Sequence, residues 1–88
     1  GPDNLNPVFK TTDVCDSGYA KVLKEEHLKL ELYQKEYLEI RIPAIGFGMG
    51  HLYAAIKEKS FDIVYAIAEN TWQGRTQLQL MIKDIRFH

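Results

Sequence analysis

The stretch His27–Ile42, HLKLELYQKEYLEIRI, decides the fold of this chain. Leucine or isoleucine recurs at every second position on both sides of a central polar pair, Lys35-Glu36. Alternation with a period of two is typical of a β-strand that buries one face. The stretch therefore predicts two antiparallel strands that are joined by a short hairpin at Lys35-Glu36.

The same alternation returns twice in the second half of the chain, at Phe61–Ile67 and at Leu78–Ile82. Between the first hairpin and these runs, Leu52, Ala55 and Ile56 recur at helical spacing. A longer strand precedes the hairpin. The predicted strands are Thr11–Leu23, His27–Gln34, Tyr37–Ile45, Phe61–Asn70 and Thr76–Arg86, and the predicted helix is Gly50–Lys59.

The order of these elements is that of an OB-fold, a mainly β, five-stranded Greek-key barrel with one helix between strands three and four. The first strand of such a barrel must bend, and Gly18 in its interior permits that bend. Pro43 cannot donate a ladder hydrogen bond, so it marks an edge or a bulge in the third strand. We predict an extended leader at residues 1–10 and the OB-fold domain at residues 11–88.

Composition narrows the class of protein. The chain has 88 residues, enough for one domain, and 45% of them are hydrophobic, as in a packed globular protein. Its single cysteine, Cys15, excludes an internal disulfide and favours a cytoplasmic setting. No apolar run is long enough for a signal peptide or a membrane span. Because the chain opens on Gly-Pro-Asp, we expect a domain of a longer protein, or residual tag residues.

The net charge of −1 argues against nucleic-acid binding, because affinity for phosphates comes mostly from lysine and arginine. A cluster of basic residues on one face would overcome this objection.

The turn Trp72-Gln73-Gly74-Arg75 is the strongest candidate for ligand binding. The loop between strands four and five of an OB-fold flanks its binding groove. A tryptophan there offers a platform on which a base can stack, and the nearby arginine can hold a phosphate. In the alternative interpretation, Trp72 folds back as a lid on the end of the barrel and Gly74 only permits the turn.

The outer face of strand two is the second candidate, with His27, Lys29 and Tyr33. Tyr37 and Arg41 on strand three are predicted to extend it. Strands two and three form the ligand platform of an OB-fold, where aromatic and basic side chains combine stacking with phosphate contacts. The alternative is a solvated face on which Glu31 or Glu39 pairs with a lysine or an arginine across the strands.

Other motifs favour structural roles. Gly46-x-Gly48-x-Gly50 opens a helix, but its spacing is not that of a dinucleotide fingerprint, and glycine is favoured where a turn needs positive φ. The three histidines lack the spacing of metal ligands, and Cys15 and Ser17 have no neighbouring base. We predict neither a metal site nor a catalytic site.

Five segments resemble the OB-type domain at the C-terminus of RecJ, the single-stranded-DNA-specific exonuclease of the DHH phosphoesterase group. They follow the same order and similar spacing over nearly the whole chain. They are Asn6-Pro7-Val8-Phe9, His27-Leu28-Lys29-Leu30, Ala44-Ile45-Gly46-Phe47-Gly48-Met49-Gly50, Glu69-Asn70-Thr71-Trp72-Gln73-Gly74-Arg75 and Leu78-Gln79-Leu80-Met81-Ile82-Lys83-Asp84-Ile85.

The resemblance implies a parent enzyme that degrades single-stranded DNA from 5′ to 3′ in recombination and repair. Its catalysis uses manganese or magnesium ions held by aspartates and histidines of other domains, and those motifs are missing from this sequence. The resemblance further implies that the OB domain helps to form the channel around the strand, with the other domains of the exonuclease as its partners. Carried over residue by residue, it makes Lys29, Trp72 and Arg75 strand contacts, together with His27.

Two residues depart from the family pattern. Pro43 stands where an acidic residue is expected, and Met81 stands where an arginine is usual. The missing arginine removes one possible phosphate contact.

Two functions remain open from the sequence. The first is a single-stranded DNA-binding OB domain that guides the strand to a catalytic core elsewhere. The alternative is a structural or protein-interaction OB domain that packs on neighbouring domains or on a repair partner. An apolar patch around Phe47, Met49 and Met81 would favour the alternative.

Overall fold

The computed structural model describes residues 7–88, so the first six residues of the predicted leader lie outside the described residues. The chain forms six strands and one short helix, which a 3-10 turn at Gly50–Leu52 precedes. The strands are β1 (Phe9–Asp16), β2 (Lys21–Leu23), β3 (His27–Gln34), β4 (Tyr37–Gly46), β5 (Phe61–Trp72) and β6 (Arg75–Phe87), and the helix is α1 (Tyr53–Glu58).

The strands close into a barrel. Their order is β1-β5-β6-β4-β3-β2, and β1 pairs with β5 through its first half and with β3 through its second half. All pairings are antiparallel except that of β4 with β6. Because β1 and β2 together form the first strand of the Greek key, this is the five-stranded barrel with one helix that the sequence predicts, and the OB-fold is confirmed.

The predicted first strand is interrupted near Gly18, which has a φ of +100°. The Asp16 carboxylate accepts hydrogen bonds from the backbone N–H groups of Gly18 and Ala20 and, on β3, of Glu31, at 2.8, 2.9 and 3.1 Å. One side chain thus fixes the bend that divides β1 from β2. Strand β1 begins at Phe9, inside the segment assigned to the leader.

The helical end of the barrel contains the tightest part of the core. Ile56 of α1 is buried in the same cluster as Phe61, at the start of β5, and as Leu28 and Leu30 of β3, which have no exposed surface. Leu52, in the 3-10 turn, packs against the same cluster. The helical spacing read from the sequence therefore identifies the face that plugs the barrel.

The opposite end of the barrel is open. The alternating pattern predicts that Leu38, Ile40, Ile67 and Leu78 are buried, and this prediction is wrong, because about half or more of each side chain is exposed. The parallel pairing of β4 with β6 extends over only two pairs, Ala44 with Leu80 and its neighbours next along the chain. Beyond these pairs the two strands have no ladder to hold the barrel closed.

Pro43 lies at the limit of that ladder. The pairing of β4 with β6 starts at Ala44, the residue after the proline, so the prediction that Pro43 marks an edge is confirmed. On its other side, β4 pairs with β3 at Ile42 and next at Tyr37. The register leaves residues 38–41 without a partner on either strand.

Candidate nucleic-acid interface

The register of the strands defines which side chains lie outside the barrel. Lys29 is aligned with Lys21 on β2 and with Ile45 on β4, and Ile45 is aligned with Met81 on β6. Residues aligned across a ladder point to the same side of a sheet. The next residue along β3, Leu30, is buried and points to the opposite side of the sheet. Lys29 and the residues aligned with it therefore lie on the outside of the barrel.

The outer face continues along the β5–β6 ribbon to its tip. Trp72 pairs with Arg75 around a two-residue turn, Gln73-Gly74, in which both residues have positive φ, +51° and +76°. These angles are those of a type I′ turn, the tightest hairpin connection and one whose twist matches that of the strands. Both strands are therefore longer than predicted, and Trp72 and Arg75 are side by side on the outer face.

Trp72 projects into solvent. Its side chain is 68% exposed, so it is not a lid on the barrel. Its indole ring is available for stacking, and Arg75 is the residue paired with it across the ribbon on the same face. The two residues chosen from the sequence as a stacking platform and a phosphate contact are thus brought together.

Arg41 and Tyr33 are less available. The Arg41 guanidinium lies 6.0 Å from the centre of the Tyr33 ring and 3.7 Å from the Glu31 carboxylate, which also accepts a hydrogen bond from Ser17 at 2.7 Å. The charge of Arg41 is partly compensated, and its guanidinium covers one side of Tyr33. This cluster matches the alternative interpretation of the face, an ion pair across the strands.

His27 has a structural role. Its Nδ1 accepts a hydrogen bond from the N–H of Gly48 at 3.1 Å, and its ring meets the edge of Phe47, with 5.1 Å between the ring centres. Gly48 has a φ of +72°, as expected for a turn that needs glycine. His27 therefore holds the turn that leads into the helix, and about a quarter of its side chain remains exposed.

Sequence reasoning missed Lys21. It was assigned to the end of one long bent strand, so its alignment with Lys29 was not evident. The Lys21 ammonium lies 4.8 Å from the centre of the Tyr19 ring, which orients it beside the strand. Tyr37, in contrast, lines the open end of the barrel and does not extend the outer face as predicted.

The family model described as the RecJ OB domain matches residues 1–84. The chain belongs to the RecJ OB domain family. No curated protein and no solved structure matches the chain. Family membership agrees with the barrel and its strand order, and OB-folds of this type commonly bind nucleic acid.

The outer face of this RecJ OB domain contains a track, defined by the aligned pairs of β5 and β6 from Trp72–Arg75 to Ala66–Met81. Basic residues lie at both ends of it. Met81 lies six positions along β6 from Arg75, which corresponds to about 20 Å at the rise of a β-strand. The tip pair lies at one end of the track, and the two aligned lysines lie beyond the other. Such spacing fits an extended strand and does not fit a compact small-molecule pocket.

The side chains between the two ends carry no charge. Along the outer face of the ribbon the aligned pairs are Asn70 with Gln77, Ala68 with Gln79 and Ala66 with Met81. Met81, at the far end of these pairs, adds no charge to the middle of the track. Amide groups are left there as possible hydrogen-bond partners for bases.

Residues 7–88 contain neither a cluster of metal ligands nor a membrane-spanning helix. Within that range no three side chains of the His, Cys, Asp and Glu types are placed to hold a metal ion. Nor does any helix in the described part of the chain have the length and apolar character needed to cross a membrane.

Proposed function

We infer that this OB domain binds single-stranded DNA along the outer face of the β5–β6 ribbon and guides it toward a catalytic core outside this chain. The parent protein in this proposal is a RecJ-like 5′-to-3′ exonuclease that uses manganese or magnesium and acts in cytoplasmic DNA repair and recombination. The OB domain contributes binding and contributes no chemistry.

One observation carries the proposal. The outer face of the ribbon presents an exposed Trp72, an adjacent Arg75 and a row of uncharged amide and small side chains, without any carboxylate among the aligned pairs from the tip to Met81. A strand of DNA lying there meets no repulsion from the surface directly below it, although the whole chain carries a net charge of −1.

The composition of this face favours single strands of any sequence. An exposed indole stacks on every base, because each base has a π-face, and the charged groups at the ends contact phosphates. Three cations, Lys21, Lys29 and Arg75, lie on or beside the track. Release of counterions from three phosphates of a single strand predicts a slope of about −2 for the logarithm of affinity against the logarithm of salt concentration.

The test is a titration of the 88-residue chain with fluorescein-labelled oligo-dT, followed by anisotropy at several salt concentrations. Trp72→Ala should weaken binding by about 5- to 150-fold, which corresponds to the loss of one stacked base. Lys29→Ala should lower the magnitude of the salt slope by about 0.7.

Thr71→Ala is the matched control, because Thr71 is adjacent to Trp72 but aligned with Thr76 on the other face of the ribbon. It should bind oligo-dT as the unmodified chain does. Absence of saturable binding at low salt by a chain shown to be folded would contradict the proposal, as would equal losses for Thr71→Ala and Trp72→Ala.

A further inference from the structure

The inner face of the ribbon opens onto an apolar surface at the unplugged end of the barrel, which we call the open mouth and define by Leu38, Ile40, Ile67 and Leu78. Each of these side chains is between 48% and 59% exposed. The patch of Phe47, Met49 and Met81 considered from the sequence does not form, because Met49 packs against the core. Four of the eleven large hydrophobic residues exposed within residues 7–88 therefore belong to the open mouth.

A pocket of about 160 Å³ lies at the base of the open mouth. Its floor is aliphatic, with Leu32, Ile63 and Leu80 among the lining residues. An apolar cavity of roughly 150 Å³ is large enough to hold a benzene ring. The pocket therefore has the size for one aromatic or one large aliphatic side chain.

Three of the five polar side chains that line the pocket, Thr11, Gln34 and Tyr65, have hydrogen-bond partners within the protein. The hydroxyl groups of Thr11 and Tyr65 form a hydrogen bond of 2.8 Å, and the Gln34 amide donates to the carbonyl oxygen of Thr12 at 3.2 Å. A nucleobase entering the pocket would find few partners for its donors and acceptors on the mainly apolar lining, at a cost in free energy. An apolar side chain carries no such cost, so the pocket favours a protein ligand over DNA.

Two unpaired strand edges border the same opening. Residues 38–41 of β4 align with no residue of β3 or β6, and residues 75–79 of β6 have no partner on the side of β4. Folded proteins normally protect such edges with charges, bulges or a covering element. An extended segment can instead add as a further strand, with main-chain hydrogen bonds for affinity and alternate side chains for specificity.

The carboxylates around the open mouth favour binding of a basic extended segment over an acidic one. Glu36, Glu39 and Glu69 lie on the strands and the hairpin that border it, and no ion pair among residues 7–88 involves them. The Arg41 guanidinium, on the same stretch of β4, is directed toward Glu31. Lys35 in the same hairpin offsets Glu36, so Glu39 and Glu69 are left to repel phosphate and to attract lysine and arginine.

We propose that the open mouth binds an extended segment of a partner protein in which apolar residues alternate with lysine or arginine. The segment adds along the free edge of β6, antiparallel to it, and places one aromatic or large aliphatic side chain in the pocket. DNA on the outer face and a protein strand at the inner face would then use opposite sides of the same ribbon. The inference is independent of the proposed DNA binding.

The probe is a nine-residue peptide in which valine and lysine alternate and the central valine is replaced by phenylalanine. Its binding to the 88-residue chain is followed by fluorescence anisotropy and by amide hydrogen exchange. We expect saturable binding and slower exchange for amides in residues 38–41 and 75–79. A peptide with alanine in place of phenylalanine should bind about tenfold more weakly or worse, since burial of one large side chain is lost.

Two substitutions in exposed residues test the location without disturbing the core. Ile40→Ser and Leu78→Ser should each weaken the probe by about tenfold and leave oligo-dT binding unchanged. Val22→Ser removes an aliphatic side chain that is 37% exposed and lies on β2, away from the open mouth, and is the matched control. Glu69→Lys should weaken the lysine probe and improve binding of the same peptide with glutamate in place of lysine.

Three results would overturn the proposal. The first is the absence of saturable binding of the lysine probe. The second is a loss for Val22→Ser equal to that for Leu78→Ser. The third is displacement of the probe by oligo-dT together with loss of oligo-dT binding in Ile40→Ser, which would make the open mouth a nucleic-acid site.

Discussion

The two ends of the barrel have the same alternating sequence pattern, but the inward-facing side chains are buried at one end and exposed at the other. At the helical end, the inward-facing residues Leu28, Leu30 and Phe61 are buried in one cluster with Ile56 of α1. At the open mouth, the inward-facing Ile67 and Leu78 continue the alternation, and about half of each side chain is in solvent. Periodicity of two thus determines the side of the sheet on which a residue lies, whereas burial requires a second element to cover that side.

The largest expected difference between the two ends is in how much a substitution lowers the free energy of unfolding. Leu30→Ala removes a side chain with no exposed surface and should lower the free energy of unfolding by about 2–5 kcal/mol. Leu78→Ala removes a side chain that is 54% exposed and should lower it by at most about 0.5 kcal/mol. Urea denaturation followed by circular dichroism measures both values. Equal losses would show that the open mouth is as well packed as the helical end.

Two glycines give a second comparison of the ends. A Cβ at Gly50, where the chain enters the 3-10 turn, would lie 2.8 Å from the backbone carbonyl oxygen of Glu26. Because backbone cannot move aside as a side chain can, Gly50→Ala should cost about 1–3 kcal/mol of unfolding free energy.

At the other end, a Cβ at Gly74 would meet no atom within 4 Å, and the only obstacle is its φ of +76°. Gly74→Ala should cost about 1 kcal/mol in the same denaturation experiment. Gly74→Asn should cost less, because asparagine tolerates positive φ. If Gly74→Asn is as destabilising as Gly74→Ala, backbone conformation is not the cause.

The smallest expected effect is a loss of folding stability at low pH that is caused by protonation of Asp62. The Asp62 carboxylate accepts hydrogen bonds from the N–H of Asp13 at 3.0 Å and from His88 at 2.8 Å. The bond from Asp13 is the main cause of a pKa below the usual value for Asp62, and His88 contributes to it. This contact fixes the bulge of β1, where Asp13 has a φ of +58°.

A lowered pKa in the folded state means that the Asp62 contact is fully stabilising above the pKa of the unfolded chain and is lost as the pH falls through the folded value. The urea concentration at the midpoint of unfolding should therefore decrease as the pH is lowered below about 4. Asp62→Asn should lower the midpoint at pH 7 and reduce its dependence on acid. An unchanged acid dependence in that variant would assign the effect to other carboxylates.

Much of the fold could be predicted because local pattern and topology agree. The leucines of His27–Gln34, the helical spacing of Leu52 and Ile56, and the element order each point to the OB-fold, and the structure agrees with all of them. The position of Trp72 beside Arg75 also follows from the sequence, because only a short turn joins the two strands around Gly74.

The features of the fold that the sequence did not predict depend on where the register of the strand pairs shifts and on contacts between distant residues. Ile82 and Ile85 both contact the core although they are three residues apart, since Lys83 forms a bulge between the pairs of Ile82 with Tyr65 and of Asp84 with Val64. A strict alternation cannot show such an insertion. The hydrogen bond from Gly48 to His27 was likewise hidden, because it joins residues 21 apart in the sequence.

The double pairing of β1 has a consequence for synthesis on the ribosome. Its first half is held by β5, and the hydrogen-bonded hydroxyl groups of Thr11 and Tyr65 are 54 residues apart. At about 5–20 residues per second, β1 waits roughly 3–11 s for that partner to be made. In this interval the β3–β4 hairpin exposes the leucines that the closed barrel buries. The nascent domain is therefore most vulnerable to aggregation before β5 is translated, however stable the finished barrel is.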